Sequence, residues 1–225
     1  MKRYTIIIIV LIAVTVLLSA ATITCEQGEP IVPKEKTALW NGKDFAGWKI
    51  FSDNKQVDAN TAWLVKEGVI RCEGSPRGYI RTETDYANYH LHLEWRWPEE
   101  KGGNSGVLLH MSVPDKVWPR SIECQLHSTN AGDFWVIDGV EFKEHLEKGE
   151  RVTGRRTKKL RDSSEKPIGK WNAYDIICKD DWIVVLVNGV LQNVATKTSV
   201  TSGKICLQSE GTAIEFRNIY IEPVG

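Results

Sequence analysis

The chain has 225 residues, which suits one sizeable domain, because all-β domains often reach this length undivided. Lys and Arg together number 29 and so do Asp and Glu, so no overall charge directs the protein to nucleic acid. Nine Trp residues are many for this length, and Trp serves either as a stacking surface for a ligand or as a bulky core residue.

The first 21 residues have the anatomy of an export signal. Lys2 and Arg3 precede an apolar run from Ile6 to Leu18, and small residues follow up to Ala21, where a signal peptidase could cut. An uncleaved anchor helix is the alternative, because the uncharged stretch 5–23 is just long enough to span a bilayer. We expect an exported protein that contacts a membrane through this N-terminal segment alone.

Residues 22–36 form a polar tether between that segment and the fold. They include "EQGEPIVPKEK", which contains two prolines and five charged residues. Cys25 lies in the tether and is a candidate for lipidation, although the preceding "TIT" departs from the usual lipid-attachment motif.

From residue 37 onward, short β-rich or alternating runs replace any helical periodicity. The Asn-Gly pair inside "VNGV" at 187–190 indicates a hairpin between two apolar strands. Many short strands at this spacing predict an all-β sandwich or jelly roll of two antiparallel sheets, formed by residues 37–225 as one domain. The runs are "WLVKEGVIRCEG", "GYIRT", "YHLHLEWRW", "SGVLLHM", "SIECQLH", "NAYDIICK", "DWIVVLVNGVLQNVA", "GKICLQS" and "AIEFRNIYIEP".

Two of these strands carry polar residues in strict alternation with apolar ones. The polar sets are His90, His92, Glu94 and Arg96 in the first strand, and Ser121, Glu123, Gln125 and His127 in the second. We expect the first set to line the outer, concave face of a curved sheet, and Glu123 and Gln125 of the second set to share that face. That face is either a plain solvated surface or, with Trp118 and Trp135 nearby, a carbohydrate-binding groove. For each of these two Trp residues, packing in the core is an equally open alternative.

Residues 138–170 read mostly as loop, and "RVTGRRTKKLR" within them holds six basic residues and no acidic one. Such a run is usually a solvated, mobile face, and it lacks the interleaved aromatic residues of a nucleic-acid site. A long loop in a compact domain is often functional, so this one is a candidate to rim or cover a site.

Four cysteines lie among apolar residues of predicted strands, without Cys-X-X-Cys spacing. We favour buried free thiols over a disulfide, and a zinc site built on them is not expected. They are Cys72, Cys124, Cys178 and Cys206.

Several segments together resemble one family, the 3-keto-disaccharide hydrolases, also described as 3-keto-glucoside lyases and 3-keto-2-hydroxy-glucal hydratases. The distinctive combination is "GNSG" at 103–106, an "IExQ" strand at 122–125 and "EFRNI" near the C-terminus, within a match from about Thr37 to Pro223. The resemblance implies a concanavalin-like jelly roll in exported bacterial proteins, periplasmic or associated with the outer membrane, that process oxidised sugars.

The chemistry of such substrates explains why one carboxylate could suffice. An ordinary glycosidase needs two carboxyl groups, whereas a ketone at C3 acidifies the C2 hydrogen. A base can remove that proton, the enolate expels the C1 substituent by β-elimination, and water then adds back. The site therefore needs a base, an electrophile for the enolate oxygen and a donor for the leaving oxygen.

The resemblance makes Glu123 of the "IExQ" strand the expected base. Asn104 and Gln125 are expected to hold sugar hydroxyls or the ketone, with Glu94, Trp118 and Trp135 as further sugar contacts. The candidate donors to the enolate or the leaving group are Arg96, His110 and His127. The sequence establishes no cofactor, but His and Glu on adjacent strands could hold a divalent metal ion that polarises the ketone.

Two other functions stay open. A non-catalytic carbohydrate-binding, lectin-like module uses the same architecture, because a fold does not by itself determine a function. A conventional glycosidase acting on unoxidised sugars is the third possibility. The partner expected from the resemblance is a small oxidised sugar substrate.

Overall fold

Alternation of apolar and polar residues along the strands produces two antiparallel sheets that pack face to face. This computed structural model describes residues 28–225, and there it confirms the predicted all-β jelly-roll sandwich. The predicted export signal or anchor and Cys25 lie outside the described residues. Within residues 28–225, no helix has the length and apolar character that crossing a membrane requires.

The described chain contains seventeen strands, one α-helical turn and one 3-10 turn. In chain order they are β1 (Thr37–Ala38), β2 (Trp48–Ser52), a 3-10 turn (Ala59–Ala62), β3 (Trp63–Lys66), β4 (Val69–Cys72), β5 (Gly78–Thr82), β6 (Tyr86–Ala87), β7 (Tyr89–Arg96), β8 (Gly106–Met111), β9 (Ser121–Gln125), β10 (Phe134–Ile137), α1 (Lys143–Leu146), β11 (Val152–Thr153), β12 (Arg156–Thr157), β13 (Asn172–Lys179), β14 (Trp182–Val187), β15 (Val190–Ala195), β16 (Ser202–Ser209) and β17 (Ile214–Pro223).

The strands divide into an eight-stranded and a nine-stranded sheet. The eight-stranded sheet has the order β15-β14-β13-β7-β17-β4-β3, with β1 paired to β17. The nine-stranded sheet has the order β11-β12-β10-β9-β8-β16-β5-β2, with β6 paired to β16. All of these pairings are antiparallel, as the hairpin-rich sequence predicts.

The inner faces of the two sheets form one apolar core. Leu91, Leu93 and Trp95 of β7 are fully buried from one side, and Ile122 and Cys124 of β9 from the other. Each residue alternates along its strand with an outward-facing neighbour, so β7 shows a strict buried and half-buried pattern. Burial of this apolar surface is the main favourable contribution to folding.

Two local predictions are confirmed. Asn188 and Gly189 take φ values of 51° and 77° and join β14 to β15, because both central positions of this turn type need a positive φ. The four cysteines at 72, 124, 178 and 206 are buried free thiols.

The expectation that β7 and β9 present their polar residues on one shared face is wrong. β7 belongs to the eight-stranded sheet and β9 to the nine-stranded sheet, so their outward residues lie on opposite surfaces of the sandwich. Alternation predicts which residues of a strand face the core, but it does not predict which sheet the strand joins.

The two non-strand segments are more ordered than their composition indicates. Ile31, in the predicted tether, exchanges backbone hydrogen bonds with Asp85 and Ala87 at 2.8 and 3.1 Å, so this part of the tether is attached to the fold. Residues 138–170 are mostly loop, as predicted, but they include α1 and the short hairpin of β11 and β12.

We expect Leu93→Ala to lower the free energy of unfolding by about 2–5 kcal/mol, because it leaves a cavity between the sheets. Its neighbour Glu94 is half-buried on the outer face and pairs with Arg217 at 2.5 Å, so Glu94→Ala should cost less than about 1 kcal/mol. Urea unfolding of both variants measures the difference. Equal costs would contradict the assignment of inner and outer faces.

Candidate functional site

The outer face of the nine-stranded sheet contains a cavity of about 170 Å³ at its centre. Glu123 of β9 lies at its floor, between Leu108 of β8 and Trp135 of β10. The strand alternates, so the core position of Cys124 fixes Glu123 on the opposite face. The cavity is lined by Asn104, Trp118, Glu123, Gln125, Trp135, Ile137, Arg155 and Glu210.

Gly106 of β8 makes room for the Glu123 side chain. A Cβ atom on Gly106 would lie 2.5 Å from Glu123 Oε1 and 2.8 Å from Gln208 Oε1, closer than real Cβ contacts allow. The two oxygens are therefore neighbours above Gly106. The glycine of the "GNSG" motif is required here by the space that these two side chains occupy, not by its backbone angles.

Several buried polar atoms around Glu123 have no hydrogen-bond partner among the described residues. They are Glu123 Oε1, Asn104 Oδ1, Gln208 Oε1 and Trp135 Nε1. A buried polar atom without a partner costs about 1–3 kcal/mol, so a cluster of four needs an explanation. Three are acceptors and one is a donor, a set that matches the hydroxyl and carbonyl groups of a bound sugar.

Burial raises the pKa of Glu123 to about 8, with a smaller contribution from the negative charge of Glu210. Arg155 acts in the opposite direction but does not offset the burial. The residue is 5% exposed, so water contributes little to stabilising its charge. When Glu123 does ionise, it is a much stronger base than an ordinary glutamate.

Sequence reasoning missed Glu210 and Arg155. Glu210 follows the end of β16, and its pKa is raised by burial while Arg77, His127 and Arg155 lower it. Arg155 lies in the turn of the β11–β12 hairpin, with its guanidinium 5.7 Å from the centre of the Trp135 ring. The one sequence feature that could have pointed to Arg155 is its place in the basic run. The β11–β12 hairpin places Arg155 at the cavity, as predicted for a segment that rims a site.

A second cavity of about 230 Å³ adjoins the first and shares Asn104, Gln125 and Trp135 with it. Its remaining lining residues are His127, Asn130, Asp133 and Arg156. Buried Asp133 accepts a 2.6 Å hydrogen bond from Arg156 Nε, and Asn130 accepts one from Arg156 Nη2.

Gln125 and His127, both predicted site residues, differ in how firmly they are held. Gln125 Oε1 accepts hydrogen bonds from the backbone N–H groups of Leu126 and His127, at 2.9 and 2.8 Å, which fixes its amide orientation. His127 is exposed at the rim, where its Nδ1 lies 2.9 Å from the carbonyl oxygen of Ser128.

Three predicted site residues lie elsewhere. Glu94 and Arg96 are on the outer face of the eight-stranded sheet, where Arg96 Nε donates to Glu215 at 2.6 Å and Glu94 accepts from Arg217. Their assignment as sugar contact and donor was wrong, because β7 joins the other sheet.

His110 is the third misplaced residue. It is 1% exposed inside the sandwich, with Nδ1 bonded to the carbonyl of Val200 at 3.1 Å and the ring against Tyr89. Its φ of 54° and the irregular pairing between β8 and β16 break the strand alternation, so the residue turns inward. Burial lowers its pKa to about 4.

Among residues 28–225, no group of three or more His, Cys, Asp or Glu side chains is arranged to hold a metal ion. The remaining predicted residues do come together. Asn104, Trp118, Glu123, Gln125 and Trp135 line one cavity, and His127 lines the adjoining one.

Comparison with known proteins identifies similar chains. A model of 3-keto-alpha-glucoside-1,2-lyase-like domains matches residues 35–222. A curated relative from Bacteroides thetaiotaomicron, named 3-keto-disaccharide hydrolase, is 24% identical over 154 residues, or 62% of this chain. The chain spans about half, 51%, of that relative.

Solved structures show the same fold. A protein from Parabacteroides distasonis, provisionally named a glycosyl hydrolase, is 26% identical with a TM-score of 0.59, covering 85% of this chain and 94% of its own. The β-glucanase of Bacillus licheniformis is 13% identical with a TM-score of 0.57, covering 84% and 97%. The carbohydrate-binding module CBM66 of Bacillus subtilis is 11% identical with a TM-score of 0.56, covering 78% and 95%.

We expect Glu123→Gln to raise the free energy of unfolding relative to wild type, by an amount that grows as the pH rises. Below pH 4.5 the carboxyl is protonated in both the folded and the unfolded chain. Between pH 4.5 and 8 only the unfolded chain ionises, so wild-type stability falls with pH. Glutamine does not titrate, so the difference in unfolding free energy between variant and wild type should grow by roughly 2–4 kcal/mol from pH 5 to pH 7.5. Urea unfolding at both pH values measures it; a pH-independent difference would contradict the raised pKa.

Proposed function

This chain belongs to the family of 3-keto-alpha-glucoside-1,2-lyase-like domains, and from that premise we propose that it cleaves glycosides oxidised at C3. The proposed reaction proceeds by removal of the C2 proton, β-elimination of the C1 substituent and addition of water. One observation carries the proposal, namely the buried Glu123 carboxyl with an unpartnered oxygen at the floor of a cavity.

Glu123 suits the removal of a proton from carbon. A C–H bond beside a ketone is a weak acid, so a strong base is needed, and burial supplies that strength by raising the pKa to about 8. A pKa near the working pH also keeps a useful fraction of the carboxylate ionised. Because Gly106 has no side chain, the Glu123 carboxyl fits directly against its backbone, and this close fit holds the Glu123 side chain in one place.

Arg155 is the proposed partner for the developing enolate oxygen. Its charge is near enough to Glu123 to lower the pKa of that carboxyl, and the side chain is exposed on a turn, so it can reach a bound ligand. A cation at this position stabilises charge that appears only in the transition state. It replaces Arg96 and His110, which lie elsewhere. A divalent metal ion bound with the substrate is the alternative electrophile, and loss of activity on chelation would favour it.

The two adjoining cavities support a substrate with two rings. The cavity with Glu123 would hold the oxidised sugar, and the cavity with Asp133 and Arg156 would hold the leaving group. Asn104 and Gln125 line both cavities and would hold hydroxyl groups on either side of the bond that breaks. Trp118 and Trp135 are the aromatic surfaces for the rings, and His127 contacts the leaving group at the rim.

The N-terminal segment supports an exported location for this activity, periplasmic or at the outer membrane of a bacterium, with lipidation of Cys25 as a means of attachment. Cell fractionation of the full chain tests this proposal. Recovery in the cytoplasm at full length would contradict it.

We expect Glu123→Gln to reduce the cleavage rate of a 3-keto disaccharide at least about a hundredfold, because glutamine keeps the shape but cannot accept the proton. Binding of the substrate should persist. Glu222→Gln, on the outer face of the eight-stranded sheet, is the matched control and should retain the native rate.

Native rates for Glu123→Gln would show that another group is the base. Binding by wild type and variant without turnover by either would favour a lectin-like module instead.

We expect removal of the C2 proton to become faster as the pH rises to about 8 and then to level off, because the Glu123 carboxylate is the reactive form. A 1,5-anhydro sugar with a ketone at C3 isolates this step, since it has no exocyclic leaving group at C1. Exchange of its C2 hydrogen for deuterium is followed by nuclear magnetic resonance between pH 5 and pH 9. A rate that is already maximal at pH 5 would contradict the assignment of this carboxyl.

A further inference from the structure

Elimination needs a second group besides the base. When the C1–O bond breaks, its electron pair stays on the departing oxygen, which then needs a proton unless it is a stable anion. The later addition of water needs the reverse, a group that takes a proton from water as its oxygen attacks C1. One carboxyl can serve both steps, because it gives a proton in the first and recovers it in the second.

Glu210 is the carboxyl that the structure brings to this place. It lines the same cavity as Glu123, yet it comes from the end of a different strand, β16, so the two carboxyl groups approach a ligand from separate positions. Both carboxyl groups face one cavity of only about 170 Å³, so a single ligand there contacts both. The buried, unpartnered oxygens of Glu123 and Asn104, which both line this cavity, are an independent sign that a ligand with donor groups fills it.

The surroundings of Glu210 suit a group that alternates between its two protonation states. It is half-buried, and burial raises its pKa and so favours the protonated form, while Arg77, His127 and Arg155 favour the charged form. Asn104 lines this cavity together with Glu210 and also lines the adjoining cavity, so the two cavities meet at Asn104. In the proposed reaction, the departing oxygen would lie at this boundary between the two cavities.

We propose that Glu210 is a second catalytic carboxyl, which protonates the departing oxygen and then activates the water that adds at C1. The inference rests on the proposed function. In the first step the Glu123 carboxylate takes the C2 proton, the C1–O bond breaks, a C1–C2 double bond forms, and the Glu210 carboxyl gives its proton to the leaving oxygen. In the second step Glu210 takes a proton from water, the hydroxyl bonds to C1, and Glu123 returns its proton to C2. Both carboxyl groups end as they began.

Leaving-group dependence tests this role. A 3-keto methyl glucoside has a poor leaving group and needs the acid, whereas a 3-keto 4-nitrophenyl glucoside has a good one and does not. Measured as release of the leaving group in a single turnover, which isolates the first step, Glu210→Gln should lose about a hundredfold in rate on the methyl glycoside and less than about threefold on the nitrophenyl glycoside. Glu210→Asp, which keeps a carboxyl, should recover part of the loss, and Glu222→Gln should match wild type on both substrates.

Deuterium exchange at C2 of the 1,5-anhydro sugar separates the two carboxyl groups. Glu210→Gln should keep that exchange within about threefold of wild type, because Glu123 performs it. An equal loss on both glycosides, a loss of exchange, or no loss at all would each overturn the role of Glu210 while leaving wild-type turnover intact. Failure of the wild-type protein to cleave either glycoside would instead overturn the proposed function and, with it, this inference.

Discussion

The shared core between the two sheets is the constraint on which the rest of the structure depends. Every central strand gives alternate residues to that core, as Leu91 and Leu93 of β7 and Ile122 and Cys124 of β9 do. The remaining residues must face outward, and each sheet has one outward face. A polar side chain on a strand therefore lies on one of two opposite surfaces, and the sheet to which its strand belongs decides which one.

The two outer faces use their charged residues in different ways. On the eight-stranded sheet, Arg96 pairs with Glu215 and Glu94 with Arg217, so these charges are satisfied within the protein. On the nine-stranded sheet, the Glu123 carboxyl is more deeply buried and its Oε1 has no hydrogen-bond partner among the described residues. A buried carboxyl without a partner destabilises the folded chain. Functional sites typically contain such groups, whose burial lowers stability and shifts their pKa values.

The sequence predicted the strands, the inward residues and the Asn188-Gly189 hairpin, because these follow from local periodicity and turn chemistry. It also predicted that Glu123 faces away from the core. It could not predict which sheet β7 joins, since pairing between distant strands leaves no local pattern, and Arg96 was therefore misplaced. His110 was misplaced because the irregular pairing of β8 and β16 interrupts the alternation.

Glu210 and Arg155, which the sequence did not predict, share one property, which is that they lie next to strands and not within alternating ones. Glu210 follows β16, and Arg155 lies in the turn between β11 and β12. Periodicity carries no information about the direction of a side chain in a turn, so only the folded chain shows that both residues line the cavity with Glu123.

The central claim is that this site acts on a sugar made acidic at C2 by a ketone at C3. Incubation of the wild-type protein with a trehalose-type disaccharide, in its C3-oxidised and unoxidised forms, tests that claim most directly. Cleavage of the oxidised sugar and no detectable cleavage of the unoxidised one are expected, since elimination requires the C3 ketone that makes the C2 hydrogen acidic. Equal cleavage of both forms, or cleavage of neither, would contradict it.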